Sequence, residues 1–260
     1  MWDAGYMHNL SREIWEKHHF ADVKIYLVGG AVREILRGHP DKVKDWDFAI
    51  EAHDFDQMRD WIKFKGFEIF VETPEYFTIR ARASNKFTFA GMDMSGRTFD
   101  FTLCRTEGEY SDGRHPDKVL SATIQEDLSR RDFTMNAIAM DPKGKFIDPF
   151  GGQKDIEDEL IRCVGTAKER FEEDSLRMLR AIRFSIQLGF DWDNQIEGFL
   201  KRPENASLLG NISKERIREE LHKCFKLDTL ETLRILGNNW AIEEQVFAGG
   251  MWLMPTFKGL

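Results

Sequence analysis

Five short strings in this 260-residue chain carry residue types that do chemistry. Asp45-Trp46-Asp47 is one. On a strand, positions i and i+2 share a face, so two carboxylates sit side by side while Trp46 turns to the core. Two acids this close repel unless a cation lies between them, and Mg²⁺ takes such oxygens together with substrate phosphates. A lone pair of this kind also fits a solvated edge strand. One short helix upstream stands Gly29-Gly30-Ala31-Val32-Arg33, at a strand-to-helix junction. Glycines there let backbone N–H groups approach an anion, and Arg33 can pair with a phosphate. The same string fits an ordinary tight turn with a surface arginine. Strand, glycine turn, helix and acid strand in that order would bring phosphate turn and metal acids to one sheet edge.

Three further strings follow. Asp100 sits between Phe99 and Phe101 in a β-like run. It completes a carboxylate cluster from a neighbouring strand or faces water. In Arg130-Arg131-Asp132-Phe133-Thr134-Met135-Asn136, two arginines precede an acid at a helix start. Arg131 can neutralise a triphosphate, and Asp132 and Asn136 can bond ribose hydroxyls; a capping arrangement with a salt bridge uses the same residues. Finally, in Glu173-Asp174-Ser175-Leu176-Arg177, Asp174 and Arg177 are i, i+3 neighbours if the segment is helical, with Arg180 and Arg183 continuing the row. A salt-bridged exposed helix is one reading. A base reader is the other. The carboxylate accepts from the amino group of cytosine or adenine, and the carbonyl of uracil or guanine is repelled.

These strings need positioning elements. Lys24–Val28 reads as a strand, Ala31–Leu36 as a short helix, Asp45–Ile50 as a strand and Phe55–Phe64 as a helix closed by Gly66. Glu68–Glu72, Thr78–Arg82, Lys86–Ala90 and Arg97–Leu103 are β-like, and Thr106–Asp117 reads as a long loop. Residues 8–18 read as a helix. From Lys154 onward the pattern is helical: Lys168–Leu188, Asp193–Arg202, Lys214–Phe225 and Thr229–Leu236. The fold class expected is α+β, with head 1–150, helical neck 151–236, and a short segment 237–260 without assigned role.

Composition narrows the classes. Lys and Arg number 37 against 45 Asp and Glu, a net charge of −8, which excludes a simple basic nucleic-acid coater. An enzyme with a local basic cleft remains open. Hydrophobic residues make up 42%, enough for a sizeable core and too much for a disordered chain. Three scattered cysteines form no CxxC pair, so neither a zinc ribbon nor a disulfide framework is expected. No signal core or membrane span is visible, which points to a soluble, cytoplasmic protein. Most of the 21 Phe and 7 Trp are expected in the core, with a few left to stack on bases.

Taken in order, LVGGAVRE with DWD, RTEGEYSDGRHPDKV, RRDFTMNAIAM, DPFGGQKDI, EDSLRMLRAIRF and ISKERIREEL resemble the class II tRNA nucleotidyltransferases (CCA-adding enzymes) and their bacterial poly(A) polymerase relatives. The resemblance spans roughly residues 24–222. It implies a nucleotidyltransferase head of polymerase β type, a mixed sheet with flanking helices, then a helical neck and minimal body. It implies that Asp45 and Asp47 hold two catalytic Mg²⁺ ions, with Asp100 as a possible third acid. Gly30, Arg33 and Arg131 would bind the triphosphate, and Asp132 and Asn136 would lie near the ribose. Asp174 and Arg177 would be the protein template that selects CTP and ATP, supported by Arg180 and Arg183. Arg105, Glu107, Asp112 and Arg114 would belong to the flexible loop tied to the switch from C to A addition. Ser213, Glu215 and Arg216 fall in the last motif, which buttresses the neck.

The implied activity is addition of C, C and A to the tRNA 3′ end, with poly(A) addition or partial CC- or A-only addition as alternatives, and a non-catalytic RNA-binding module behind them. The implied partners are the tRNA 3′ end, CTP and ATP, with no DNA and no membrane. Two departures stand out. Glu34 replaces the family's usual Asp. The chain also ends soon after the last motif, where family members usually continue into helical body and tail domains.

Overall fold

Lys24–Val28 (β1) is a run of β-branched and aromatic residues that buries Leu27 and Val28 and stops at Gly29, whose φ of 69° suits a residue without Cβ. The chain turns there into Gly30–Leu36 (α1). The structure is a computed structural model and describes residues 19–84, 86–107, 119–248 and 250. Residues 8–18, most of the loop string including Asp112 and Arg114, and residues 249 and 251–260 of the final segment lie outside the described residues.

After Asp47–Glu51 (β2), Phe55–Phe64 (α2) begins at Asp54, whose carboxylate accepts from the Gln57 amide at 2.8 Å. Phe55, Met58, Trp61 and Ile62 recur at helical spacing and are buried. Next come Phe67–Thr73 (β3), Thr78–Ala83 (β4) and Thr98–Leu103 (β5), and later Ala139–Met140 (β6) and Phe146–Ile147 (β7). These seven strands form one mixed sheet in the order β7-β6-β1-β2-β5-β4-β3. The β2·β5 pair is parallel and the other five pairs are antiparallel. Strands β4 and β5 alternate: Ile79, Ala81, Phe99, Phe101 and Leu103 are buried, and Arg80, Arg82, Asp100 and Thr102 lie on the other face. Rings of Phe48, Phe67, Phe87, Phe89, Phe99 and Phe101 meet one another at 4.9–6.3 Å, mostly edge to face. That cluster holds six of the chain's 21 phenylalanines.

Several boundaries differ from the sequence reading. β2 begins at Asp47, so Asp45 lies on the extended segment before it. Only Thr88–Phe89 of the expected run at 86–90 is strand, paired with Met92–Asp93 around Gly91. Arg105–Glu107 is a short strand paired with Val119–Ser121, so the loop string is entered and left through a two-stranded ladder.

The chain divides into two compact units. One draws on Met1–Thr106, Val119–Leu128 and Ala139–Ile147 and carries the seven-stranded sheet. The other draws on Glu107–Lys118, Ser129–Ile138 and Asp148–Leu260 and is largely helical. The short helix Ile124–Ser129 (α3) runs across the boundary. The helical unit contains Gly152–Glu157 (α4), Ala167–Glu173 (α5), Leu176–Leu188 (α6), Asn194–Leu200 (α7), Pro203–Ala206 (α8), Lys214–Leu227 (α9), Thr229–Asn238 (α10) and Trp240–Phe247 (α11). The expected single helix 168–188 is two helices. Asp174 adopts extended backbone angles (φ −142°, ψ 98°) between them. Helix α6 buries Met178, Leu179, Ala181 and Ile182 and packs on α9, which buries Ile217, Leu221 and Cys224. Among the described residues no helix is long and apolar enough to cross a membrane.

Candidate active site

In the sheet unit the strand register lines up four residues from four adjacent strands. Val28 of β1 faces Asp47 of β2, Asp47 faces Asp100 of β5, and Asp100 faces Arg80 of β4. Directly opposed residues present their side chains on one face, so the two acids and the arginine share a surface. Trp46 is buried, and its carbonyl accepts from the Asp100 amide at 3.1 Å, which carries the β2·β5 ladder one residue past the strand start. Asp45, on the extended lead-in to β2, is exposed and Asp47 is half-buried, and the charges of both act on Arg80. Arg80 donates through Nε and Nη2 to the two oxygens of Asp100, each at 2.6 Å. This bidentate bond raises the Arg80 pKa above its ordinary value, with further contributions from the charges of Asp45 and Asp47. Among the described residues no group of three or more His, Cys, Asp or Glu could hold a metal ion. Two reachable carboxylates still fit Mg²⁺, which is usually bound through one or two carboxylates and completes its shell with water and substrate phosphates.

The glycine turn at Gly29-Gly30 lies at the end of β1, one strand from Asp47. Arg33 is only 5% exposed, and its Nε and Nη2 both donate to Glu34 Oε1 at 3.1 Å. The other Glu34 oxygen accepts from Arg37 at 3.1 Å. Glu34, which stands where the resemblance leads one to expect Asp, thus bridges Arg33 of α1 and Arg37 at its C-terminal cap.

In the helical unit a second arrangement gathers the remaining candidates. Asp132 is buried. Its Oδ1 accepts from the Phe133 amide at 2.8 Å and from Asn136 Nδ2 at 3.1 Å; its Oδ2 accepts from Arg180 Nε at 2.9 Å and Nη2 at 2.5 Å. Burial pushes this carboxyl up, but the Arg180 charge and the hydrogen bonds outweigh it and hold the pKa down to about 2. The backbone around Asp132 is pinned by Thr134 N–H to the Arg162 carbonyl at 2.9 Å and by Val164 N–H to the Asp132 carbonyl at 3.1 Å. Arg131 Nη1 reaches the Asn136 carbonyl at 3.4 Å.

The DPFGG string serves this segment. Asp148 accepts from the amides of Gly152 and Gln153 at 2.8 and 2.9 Å, and Asp155 accepts from Thr134 Oγ1 at 2.5 Å. Gly152 packs so closely that a Cβ there would fall 2.1 Å from the Thr134 carbonyl oxygen. The sequence reading assigned no role to this string. Its signal was the glycine pair after Asp148.

Asp174 and Arg177 do not form the expected i, i+3 pair on a continuous helix. Asp174 precedes α6, and its Oδ2 accepts from Arg216 Nη2 of α9 at 3.2 Å. Arg177 donates to Glu173 Oε2 at 2.7 Å and to the carbonyls of Arg170 and Arg130 at 3.2 and 3.0 Å. Arg183 lies 4.1 Å over the Phe184 ring and donates to Gln187 at 2.9 Å and to Glu220. Glu220 is 2% exposed, and the Arg183 charge holds its carboxyl below the usual range against the opposing effect of burial. Sequence reasoning missed Arg80 and Glu220. Strand alternation in TIRARA was the signal for Arg80. The helical spacing Ile217–Glu220–Leu221–Cys224, which puts an acid on an apolar face, was the signal for Glu220.

Comparison with known proteins gives the family. Residues 25–162 match the family described as the Poly A polymerase head domain. The chain is 42% identical over 199 residues to a CCA-adding enzyme of Geobacillus kaustophilus, covering 76% of this chain and 44% of the relative. It is 37% identical over 262 residues to a CCA-adding enzyme of Lactiplantibacillus plantarum, covering 95% of this chain and 60% of the relative. The chain thus spans about half the length of the curated relatives it matches. Among solved structures, a Bacillus stearothermophilus CCA-adding enzyme in complex with CTP superposes with a TM-score of 0.68 at 33% identity, over 95% of this chain and 54% of that one. By its matched head, its mixed sheet and the six motifs in order, the chain belongs to the family of class II tRNA nucleotidyltransferases and bacterial poly(A) polymerases.

Proposed function

We propose that this chain adds C, C and A to the 3′ end of tRNA, using CTP and ATP. The observation that carries the reading is the acid pair Asp45 and Asp47, the first exposed just before β2 and the second opening it, one strand from the end of β1 where the glycine turn lies. Asp45 and Asp47 would hold the Mg²⁺ ions. When bound there, Mg²⁺ supplies charge neutralisation at a triphosphate and lowers the pKa of an attacking hydroxyl. The turn at Gly30 follows β1, whose Val28 faces Asp47, and its amides would meet the triphosphate, with Arg33 and Arg131 as cations toward it. Positioning and preorganised charge carry most of such a reaction.

Base choice falls to the helical unit. Asp174 would accept from the exocyclic amino group shared by cytosine and adenine, and Arg177 would donate to ring acceptors. Uracil and guanine put a carbonyl against Asp174 and are rejected. Asp132, bonded to Asn136 and Arg180, would lie near the ribose of such a nucleotide. The Arg105–Asp117 string would time the change from C to A.

The test is direct. Offer a tRNA lacking its terminal CCA with CTP alone, ATP alone and both, and size the products. CC from CTP, then one A when ATP is present, supports the reading. Long A tails from ATP alone point to a poly(A) polymerase, which shares the matched head. CC without A points to a partial enzyme, and no incorporation points to an RNA-binding module.

A further inference from the structure

A metal-binding carboxylate edge gains from concentrated negative charge, yet this one contains a cation. Arg80 faces Asp100 in the β4·β5 register, and Asp100 faces Asp47 in the β2·β5 register. Both oxygens of Asp100 are engaged by the Arg80 fork at 2.6 Å. We propose that Arg80 is a positioning residue that sets the metal affinity of this edge: it holds Asp100 as a neutralised pair, out of the ligand set, and its charge competes with a divalent cation for the field of Asp45 and Asp47. The inference rests on the reading of Asp45 and Asp47 as the Mg²⁺ ligands.

Two observations support it. The Arg80 side chain is 53% exposed, and exposed ion pairs contribute little to folding, so sheet stability alone is a weak reason for the pair. The charges of Asp45 and Asp47 also act on Arg80 after the contributions of Asp100 itself, so guanidinium and metal acids share one electrostatic neighbourhood. With Arg80 on Asp100, the edge offers a cation two carboxylates rather than three. That matches a site completed by substrate phosphates and favours metal arriving with its nucleotide over metal bound in advance.

The experiment is Mn²⁺ titration of the full chain, with free Mn²⁺ read by electron paramagnetic resonance and folding checked by thermal melts. Arg80→Gln is expected to bind Mn²⁺ about fivefold tighter, since a nearby like charge is removed. Arg80→Lys, which keeps the charge and loses the fork, should stay within about twofold of the wild type. Asp100→Asn leaves Arg80 unneutralised and should bind about fivefold more weakly, and the double variant Arg80→Gln/Asp100→Asn should return to within about twofold of wild type. Unchanged or weaker binding in Arg80→Gln overturns the proposal. So does a double variant as weak as Asp100→Asn, which makes Asp100 a ligand. Asp45→Asn separates the two levels. Loss of Mn²⁺ binding there, with Arg80→Gln unchanged, sinks the Arg80 proposal alone. Undiminished binding in Asp45→Asn sinks the metal reading and the proposal together.

Discussion

Arg216 of α9 donates to Asp174 at 3.2 Å across 42 residues of sequence, and so fixes the carboxylate that stands in the break between α5 and α6. Leu176 N–H donates to the other Asp174 oxygen at 3.2 Å. The acid proposed to read the base is thus aimed by a residue outside its own helix, and Arg177 is held separately through Glu173.

Arg216→Ala removes that aim without touching the acid. Discrimination of CTP over UTP should fall about tenfold, with the KM for CTP rising and the melting temperature nearly unchanged. Competitive incorporation of the two nucleotides on a tRNA lacking CCA measures it. Unaltered discrimination would show that Arg216 does not orient the reader.

Gly152→Ala tests the support under Asp132. The new methyl would meet the Thr134 carbonyl at 2.1 Å and Ile138 Cγ1 at 2.9 Å, and the carbonyl belongs to the backbone and cannot swing aside. A loss of about 1–3 kcal/mol is expected from overpacking. Gly198→Ala is the control: it sits in α7, with nothing within 4 Å of an added Cβ, and should be neutral or stabilising by up to about 1 kcal/mol. Urea unfolding of both variants gives the comparison.

Asp132 predicts a pH dependence. Its folded pKa is about 2, below its ordinary value. A depressed acid contributes stability that is complete above its unfolded pKa and is lost as pH falls through the folded pKa. The contribution should therefore hold above roughly pH 4 and fade toward about pH 2. Asp132→Asn should be less stable than wild type at neutral pH, and the gap should narrow across that acid window. Melting temperatures over a pH series check this; a constant gap would mean that the Arg180 contact does not depend on the Asp132 charge.

The cysteines should be inert in the native state. Cys104, Cys163 and Cys224 are buried, and burial pushes the Cys163 thiol well up and Cys224 to about 12. Thiolate is the reactive form, so Ellman's reagent should find almost no thiol until guanidinium unfolds the chain, and then three. Rapid native titration of any one of them would contradict the burial described.

The positions of the sheet and helix acids were largely legible in the sequence. β1, α1, α2 and the alternating strands β4 and β5 follow from local hydrophobic spacing, and the neck helices from their 3.6-residue period. What was not legible depends on partners far along the chain. The break at Asp174 occurs within a stretch whose composition continues the helical pattern, and it is fixed by Arg216 and by Ser175 Oγ donating to the Leu208 carbonyl at 2.9 Å. Two-residue strands such as Ala139–Met140 and Phe146–Ile147 are too short for periodicity to show. The role of Arg80 arises only when strand register sets it opposite Asp100. Strand β2 is expected from Asp45, two residues early, because Asp45-Trp46-Asp47 alternates as a strand does, although the ladder proper starts at Asp47.

Asp45 and Asp47 are proposed to drive nucleotidyl transfer to a tRNA end. The most direct measurement of this is the rate of CMP incorporation from CTP into a tRNA lacking CCA, by the wild-type chain and by Asp45→Asn, with equal melting temperatures verified first. Wild type is expected to add two C residues and then a single A when ATP is supplied, and Asp45→Asn to be slower by about 100-fold or more. Equal rates for the two proteins would contradict it.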